Sequence, residues 1–203
     1  MCVRVLNLYS GVGGNRRLWG DDVVVTAVEW DVEVARVYSG LFPDDRVVVD
    51  DAHEFLRHNF LDFDFVWSSP PCQSHSRVRF AGHGKSSMVF PDLRLYEEVL
   101  FLQKYVRGAP LWVVENVVPF YEPLVPAVRR GRHLFWSNFE LPVWECGVDD
   151  LRGRNSAGAL AEWFGFDLGL FGGVDDARQV LRNCVHPDDG LVVLNHVRGL
   201  LGG

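Results

Sequence analysis

Short apolar runs alternate with amphipathic segments along most of the chain. The runs are four to seven residues long and rich in Val, Leu, Phe and Trp, which is typical of buried strands. The clearest runs occupy 3–8, 23–29, 46–49, 63–67 and 111–115, and 133–144 holds one or two more. Apolar residues at helical spacing lie between them, at 15–20, 31–40, 52–58 and 91–107. Strands that alternate with helices predict an α/β fold with a mostly parallel sheet and helices on both faces.

The pattern changes after residue 145. The stretch 145–176 is rich in Gly and Asp, with Trp163 and Phe166 among its aromatic residues, and the sequence leaves open whether it is a small subdomain or an elaborated loop. Residues 176–184 and 187–201 return to helical spacing. The chain therefore predicts one α/β domain with a short insertion near its C-terminal end.

Composition places the chain among ordinary globular proteins. It has 203 residues, 48% of them hydrophobic, and no apolar run approaches the roughly 20 residues of a membrane span. Its four cysteines are scattered with no C-x-x-C pair, which predicts reduced thiols in a cytosolic protein and neither a disulfide framework nor a zinc site.

The charge is unevenly distributed. The net charge of −7 argues weakly against a nucleic-acid partner, yet residues 74–133 carry 9 basic and 5 acidic side chains, a local net charge of +4. A polyanion could dock on this block. Ordinary surface charge on a solvated loop is the alternative.

A glycine-rich turn follows the first strand. Gly11, Gly13 and Gly14 precede a helical segment, but neither the G-x-G-x-x-G fingerprint of dinucleotide sites nor a P-loop lysine is present. Glu29 ends the second strand, where a carboxylate can accept from the hydroxyls of a ribose, and Trp30 offers a flat face to an adenine. The alternatives are a simple tight turn for the glycines and a surface position for Glu29. The combination of the glycines, the acid and the tryptophan favours an adenosine ligand without a pyrophosphate, and hence S-adenosylmethionine.

A rigid turn carries one thiol at the end of the fourth strand. Two prolines precede Cys72 and hold its backbone, and the carboxyl edge of a parallel sheet is where ligands bind. Glu115 ends the fifth strand, where desolvation would hold its proton. Arg130 and Arg132 lie before the next strand and could pair with a carbonyl or carboxylate. The alternatives are an inert cysteine, a helix-capping glutamate and a solvated basic turn.

Taken in order, these segments resemble the DNA cytosine-5 methyltransferases. The resemblance rests on "LYSGVGG", "VEWD", "SPPCQ", "ENV", the R-x-R before "HLFWSNFELP", and "LRNCV" near the C-terminus. Tyr9 stands where the family usually has Phe, Ser68 and Ser69 stand where it prefers glycine, and Arg182 stands where it usually has Gly. The resemblance implies a Rossmann-like S-adenosylmethionine-dependent methyltransferase fold.

The resemblance also assigns site residues. Those expected to act in catalysis are Cys72 as nucleophile, Glu115 as proton donor, Arg130 and Arg132. Those expected to bind S-adenosylmethionine are Tyr9, Ser10, Gly11, Gly13, Gly14, Glu29, Trp30, Asp51, Ala52, Pro70, Asn183 and Val185. Those expected to contact the nucleic-acid substrate are Ser69, Gln73, Ser76, Asn116, Arg152 and Arg154.

The region available for target recognition is short. Family members normally carry a long recognition domain, whereas here only about forty residues separate Asn138 from Leu181. We therefore expect a catalytic domain at 1–138, a reduced recognition region at 139–176 and C-terminal helices at 177–203. A partner chain that supplies recognition is compatible with this length.

Double-stranded DNA is the expected substrate, in the cytoplasm of a prokaryotic or virus-infected cell, with a role in restriction and modification suggested by the compact size. Two alternatives stay open on the sequence. One is the same chemistry on a structured RNA such as tRNA, and the other is an inactive regulatory subunit. Retention of Cys72 and Glu115 argues against the second.

Overall fold

The computed structural model describes residues 2–77, 88–144 and 154–202, and they form a seven-stranded sheet covered by helices. The strands are β1 Val3–Leu8, β2 Val23–Glu29, β3 Arg46–Val49, β4 Phe65–Ser68, β5 Leu111–Val117, β6 Val128–Arg130 and β7 His133–Ser137. The α-helices are α1 Val32–Leu41, α2 Ala52–Asn59, α3 Arg94–Tyr105, α4 Ala157–Phe164, α5 Ala177–Arg182 and α6 Pro187–Gly202. Short 3-10 helices occupy Asn15–Leu18, Phe60–Asp62 and Leu168–Phe171.

The sheet order is β3-β2-β1-β4-β5-β7-β6. Strands β1 to β5 pair in parallel, and β7 runs antiparallel to both of its neighbours, β5 and β6. This confirms the predicted α/β fold with a mostly parallel sheet. The segment 133–144 holds one strand, β7, and the short strand β6 lies before it and contains Arg130.

Alternate residues of the central strands face two separate cores. Leu6 and Val66 pack in a cluster with residues of α2 and α3, whereas Val5 and Phe65 pack in another with residues of α6. Because successive side chains of a strand point to opposite faces, runs that are apolar throughout are needed when both faces are covered. The continuous apolar runs of the sequence are therefore explained by a sheet that is covered by helices on both faces.

The described part of the expected recognition region packs on the sheet domain. Leu160 and Phe164 of α4 and Phe171 belong to one buried cluster with Val34 and Val37 of α1. The Ser156 hydroxyl caps α4 by accepting from the Ala159 amide, and Gly165 ends the helix in the left-handed conformation. The division of the chain at 138 and 176 stays a prediction.

None of the helices within the three described ranges combines the length and the apolar character that crossing a membrane requires.

Candidate active site

The strand register brings the predicted site residues to one edge of the sheet. Leu8 pairs with both Val28 and Ser68, and Ser68 pairs with Val114. The next residue of each strand or turn is therefore at the same level, and these residues are Tyr9, Glu29, Ser69 and Glu115. A cleft of about 1070 Å³ opens at this edge.

Most of the predicted residues line this cleft. From the cofactor set these are Tyr9, Ser10, Gly11, Gly14, Glu29, Trp30, Asp51, Ala52, Pro70, Asn183 and Val185. From the catalytic and substrate sets these are Ser69, Cys72, Gln73, Ser76, Glu115, Asn116 and Arg132.

The glycine turn presents backbone to the cleft. Gly11 has a φ of +53°, in the left-handed region that glycine tolerates, and a Cβ built on it would meet nothing within 4 Å. Gly14 meets the C-terminal segment instead, because a Cβ there would lie 2.5 Å from the Val185 carbonyl oxygen. The late motif is therefore packed directly on the turn that precedes it by about 170 residues.

The end of β2 and the start of α2 form the second wall. Buried Glu29 accepts from the amides of Gly11 (2.9 Å) and Asp31 (3.0 Å), which ties the end of β2 to the glycine turn. Burial raises the pKa of Glu29, and these amides oppose the rise. The indole of Trp30 is 78% exposed and lines the cleft. Asp51 caps α2 by accepting from the amides of His53 and Glu54.

These groups fit an adenosine-type cofactor. The buried hydroxyl of Ser10 lines the cleft and has no hydrogen-bond partner among the residues that the structure describes. The open face of Gly11 and the exposed indole of Trp30 leave room for a flat, polar-edged ligand beside it. Glu29 lines the same cleft, where its carboxylate suits ribose hydroxyls.

The turn that carries Cys72 is held from both sides. The side-chain amide of Asn116, at the end of β5, donates to the Pro70 carbonyl (2.9 Å). After the thiol, the amides of His75 and Ser76 both donate to the Cys72 carbonyl (3.0 Å). Asn116, predicted as a substrate contact, therefore also fixes the backbone of the Pro-Pro-Cys turn.

The electrostatics of the site keep the Cys72 thiol protonated at rest. Burial is the main cause that raises the pKa of Cys72 to about 11, and the charge of Glu115 adds to it. Arg132 acts in the opposite direction. Both predicted catalytic partners are thus near enough to influence the thiol.

His133 and Arg94, two charged or titratable residues that the sequence patterns did not single out, also line the cleft. His133 of β7 is buried, and its Nε2 lies 3.7 Å from Glu115 Oε1. Arg94, in the first turn of α3, lies 3.2 Å from Asp51 through Nη1. His133 follows the R-x-R pair directly and was readable as a strand-end histidine. Arg94 and its partner Asp51 are 43 residues apart in the sequence, and no local pattern predicts their contact.

Three predicted residues do not line the cleft. The guanidinium of Arg130 lies 5.1 Å from the centre of the Trp144 ring and donates to the Pro142 carbonyl, so it holds the segment after β7. Gly13 packs against α1, since a Cβ there would lie 2.4 Å from the Phe42 ring. The guanidinium of Arg154 lies over Trp163, 4.5 Å from the ring centre. Arg152 lies outside the described residues.

Replacing Glu29 by alanine is expected to weaken S-adenosylmethionine binding by about ten- to a hundredfold. The variant loses the carboxylate that is expected to accept from the ribose hydroxyls and the acceptor that holds the Gly11 amide. Titration calorimetry measures the change. Glu54→Ala, which removes an exposed carboxylate from the first turn of α2, is the matched control. An unchanged affinity in Glu29→Ala would contradict the assignment.

The alkylation rate of Cys72 is expected to rise about tenfold per pH unit between pH 7 and 9. Its pKa is raised to about 11, so the reactive thiolate is the minor form throughout this range and grows with pH. Iodoacetamide labelling, followed by mass spectrometry of the Cys72 peptide, measures the rate. A short cysteine peptide, whose rate is half-maximal near pH 8.5 and therefore rises less than tenfold per unit above pH 8, is the reference. A plateau for Cys72 below pH 9 would refute a raised pKa.

The strand order, with the antiparallel β7 between β5 and β6, and the cleft at the carboxyl edge are those of the Rossmann-like fold of S-adenosylmethionine-dependent methyltransferases. Within that class, residues 3–98 match the family profile described as C-5 cytosine-specific DNA methylase. This stretch of the chain is similar to that family, which confirms the resemblance drawn from the motifs and the expected cofactor.

The curated relatives include two tRNA (cytosine(38)-C(5))-methyltransferases. The human protein is 31% identical over 124 residues, which cover 58% of this chain and 31% of that protein. The cattle protein is 26% identical over 125 residues, with the same two shares. The chain thus spans about a third of the length of these relatives.

A solved structure of a Spodoptera frugiperda DNMT2 variant is also similar. It superimposes with a TM-score of 0.38 at 23% identity, over 57% of this chain and 35% of that one. Because this score lies below 0.5, the fold assignment rests on the strand order alone.

Proposed function

We propose that this protein methylates carbon 5 of cytosine in a nucleic acid, through a transient bond from Cys72. The observation that carries the proposal is the meeting of three groups in one cleft with an adenosine-type pocket. These groups are the thiol of Cys72, the negative charge of Glu115 and the positive charge of Arg132. Glu115 raises the pKa of the thiol and Arg132 lowers it.

The reaction needs each of these groups. The Cys72 thiol loses its proton, and the sulfur adds to carbon 6 of the ring. Glu115 donates a proton to ring nitrogen 3, so no negative charge accumulates, and Arg132 holds the carbonyl oxygen at carbon 2. Glu29, Trp30 and the glycine turn would hold S-adenosylmethionine, which would supply the methyl group to carbon 5 and leave as S-adenosylhomocysteine.

The adduct then breaks down by elimination. A base removes the proton from carbon 5, the ring double bond re-forms, and the thiolate leaves. Glu115 recovers its proton from nitrogen 3. A target base in a duplex must leave the stack for this chemistry, at a cost of a few kcal/mol.

The protonated form of Glu115 favours both ionisation of Cys72 and proton donation to ring nitrogen 3. The ionised carboxylate raises the pKa of Cys72, whereas the protonated form removes this repulsion and can also donate to nitrogen 3. We infer that the enzyme attacks from the state in which Glu115 is protonated and Cys72 ionised.

Double-stranded DNA is the substrate that we propose, because the motif series resembles the DNA enzymes and the matched family profile is named for them. A tRNA is the second candidate. It is favoured by the curated relatives, which are named tRNA methyltransferases. The cleft chemistry is the same for both substrates.

We further propose that target recognition extends over only a few bases. The stretch between Asn138 and Leu181 contains few long polar side chains, and each good base contact contributes about 1–3 kcal/mol of discrimination. Arg152 and Arg154 are the residues proposed to read bases. A loop that grips only phosphates would give still lower specificity.

A side-by-side assay tests the substrate. The purified chain receives labelled S-adenosylmethionine with plasmid DNA or with total tRNA, and Cys72→Ser is the blank. We expect label in the DNA, and bisulfite sequencing is expected to find a short or degenerate site that changes in Arg152→Ala or Arg154→Ala.

Label in tRNA alone would overturn the DNA assignment and keep the chemistry. Label in neither substrate would overturn the proposed function. A strictly read site of six or more base pairs would overturn only the proposal of a short recognition site.

A further inference from the structure

Helix α3 places one carboxyl group at the centre of the fold. Glu98 is 0% exposed and lies in this helix beside Leu95 and Val99, which pack in the core that covers the sheet. Burial of an ionisable group is costly unless hydrogen bonds compensate for it. The partners of Glu98 therefore matter for both the stability and the shape of the site.

Three side chains from three different elements meet this carboxyl. The Tyr9 hydroxyl donates to Oε1 (2.5 Å), and the Ser68 hydroxyl donates to Oε2 (2.6 Å). His53 Nδ1 lies 3.1 Å from Oε1. The pKa of His53 is raised, first by this hydrogen bond with Glu98, so the contact favours the charged imidazole.

Each of these partners belongs to a turn of the active site. Tyr9 lines the cleft, begins the glycine turn and has a φ of +53°, which residues other than glycine rarely adopt. Ser68 ends β4, directly before the segment that carries Cys72. His53 lies two residues after the cap of α2, Asp51, which also lines the cleft.

The contacts of α3 extend beyond Glu98. One turn earlier, Arg94 pairs with Asp51 at 3.2 Å and lines the cleft. Tyr9 and Ser68 are also positions at which this sequence departs from the residues usual in the family it resembles. The two departures thus supply the two hydroxyl donors to a single buried carboxyl.

We infer that Glu98 is a positioning residue, which holds the glycine turn and the Pro-Pro-Cys turn in one fixed relation. The inference rests on the proposed function, because it assigns Tyr9 to the cofactor side and Ser68 to the nucleophile side. Without this carboxyl, the glycine turn loses the hydrogen bond from Tyr9 and the Pro-Pro-Cys turn loses the hydrogen bond from Ser68.

The test compares Glu98→Gln with Glu97→Gln. Glu97 is the adjacent residue on the same helix, and its side chain is 62% exposed. It pairs with His53 Nε2 (3.4 Å), so Glu97→Gln removes a carboxylate beside His53 while the Tyr9 and Ser68 hydrogen bonds to Glu98 stay in place. Glutamine at 98 keeps the size of the side chain but turns a donor toward one of the hydroxyls. We expect S-adenosylmethionine binding and kcat each to fall about tenfold or more in Glu98→Gln, and neither to change in Glu97→Gln.

Single-contact variants separate the two turns. Tyr9→Phe is expected to weaken cofactor binding, measured by calorimetry, and to leave the alkylation rate of Cys72 within about twofold. Ser68→Ala is expected to change the Cys72 alkylation rate and kcat, with little effect on cofactor affinity. Because both hydroxyls donate to one carboxyl, the double variant is expected to lower kcat/KM for the cofactor, a quantity that depends on both turns, by less than the two single effects combined.

A purely structural role predicts another pattern. In that case Glu98→Gln lowers the thermal unfolding midpoint. At temperatures where the variant is folded, its kcat and cofactor affinity equal those of the wild type. That result, or fully additive effects in the double variant, would overturn the inference. If Glu98→Gln does not fold, the Tyr9 and Ser68 variants decide.

Failure of the proposed function can be told apart from failure of the inference about Glu98. A wild-type chain that transfers no methyl group to cytosine would overturn the function. Cofactor affinity and Cys72 alkylation need no turnover, so they would still report on Glu98.

Discussion

Cys72→Ser is expected to lower turnover by a factor of about 10⁴ or more while S-adenosylmethionine affinity stays within about twofold of the wild type. The hydroxyl of serine is a far weaker nucleophile than a thiolate. The groups proposed to hold the cofactor are the glycine turn and Glu29, and the hydrogen bond from the Gly11 amide that joins them does not involve the thiol.

A trapping experiment gives this prediction a second readout. An oligonucleotide with 5-fluorocytosine at the target position blocks the last elimination, because carbon 5 then has no proton to lose. The wild type is expected to form a covalent complex that survives denaturation, with the modified peptide containing Cys72. Cys2→Ser, at an exposed cysteine, is the control and should form the same complex. A complex formed by Cys72→Ser would rule out this nucleophile.

Glu115→Gln is expected to lower kcat by about 10²–10⁴, which is the contribution usual for a positioned general acid. Glutamine keeps the shape of the side chain and can donate a hydrogen bond, but it cannot transfer a proton to nitrogen 3. Glu115 is buried at the end of β5, so water is poorly placed to take over its role.

The same variant is expected to make Cys72 more reactive toward iodoacetamide at pH 8. The negative charge of Glu115 helps to raise the pKa of Cys72, so a neutral glutamine lowers that pKa and increases the thiolate fraction. Mass spectrometry of the Cys72 peptide measures the rate, and Glu122→Gln, at an exposed position, is the control. Slower turnover together with faster alkylation is a signature that general misfolding does not produce. Unchanged alkylation would show that the two side chains are not coupled.

Much of the architecture was readable from local pattern. The apolar runs predicted β1, β2, β3 and β5 closely, and β4 was displaced by only one or two residues, because a strand buried on both faces must be apolar throughout. The short strand β6 was missed. Its three residues, Val128, Arg129 and Arg130, carry two charges and no apolar run, and only pairing with β7 makes them a strand.

The residues at strand ends were predictable for a related reason. Glu29 and Glu115 follow apolar runs directly, Cys72 follows one after a short turn of two serines and two prolines, and parallel strands deliver such residues to one edge of the sheet. Their placement at the cleft follows from topology once the strands are known. The direction of Arg130, in contrast, was decided by Trp144 and the Pro142 carbonyl, which lie on a segment that the local sequence around Arg130 does not specify.

The sequence by itself determined the order of strands and helices, the family resemblance and the side chains that carry the proposed chemistry. Only the tertiary structure decided which of those side chains share a cleft and what holds them there. Glu98 looks like one polar residue in an amphipathic helix, and its partners lie 89, 45 and 30 residues away, in β1's turn, α2 and β4. Periodicity reports which face of an element is buried, because burial is a property of each residue. Hydrogen-bond partners depend on how elements pack together, and that information is not local in the chain.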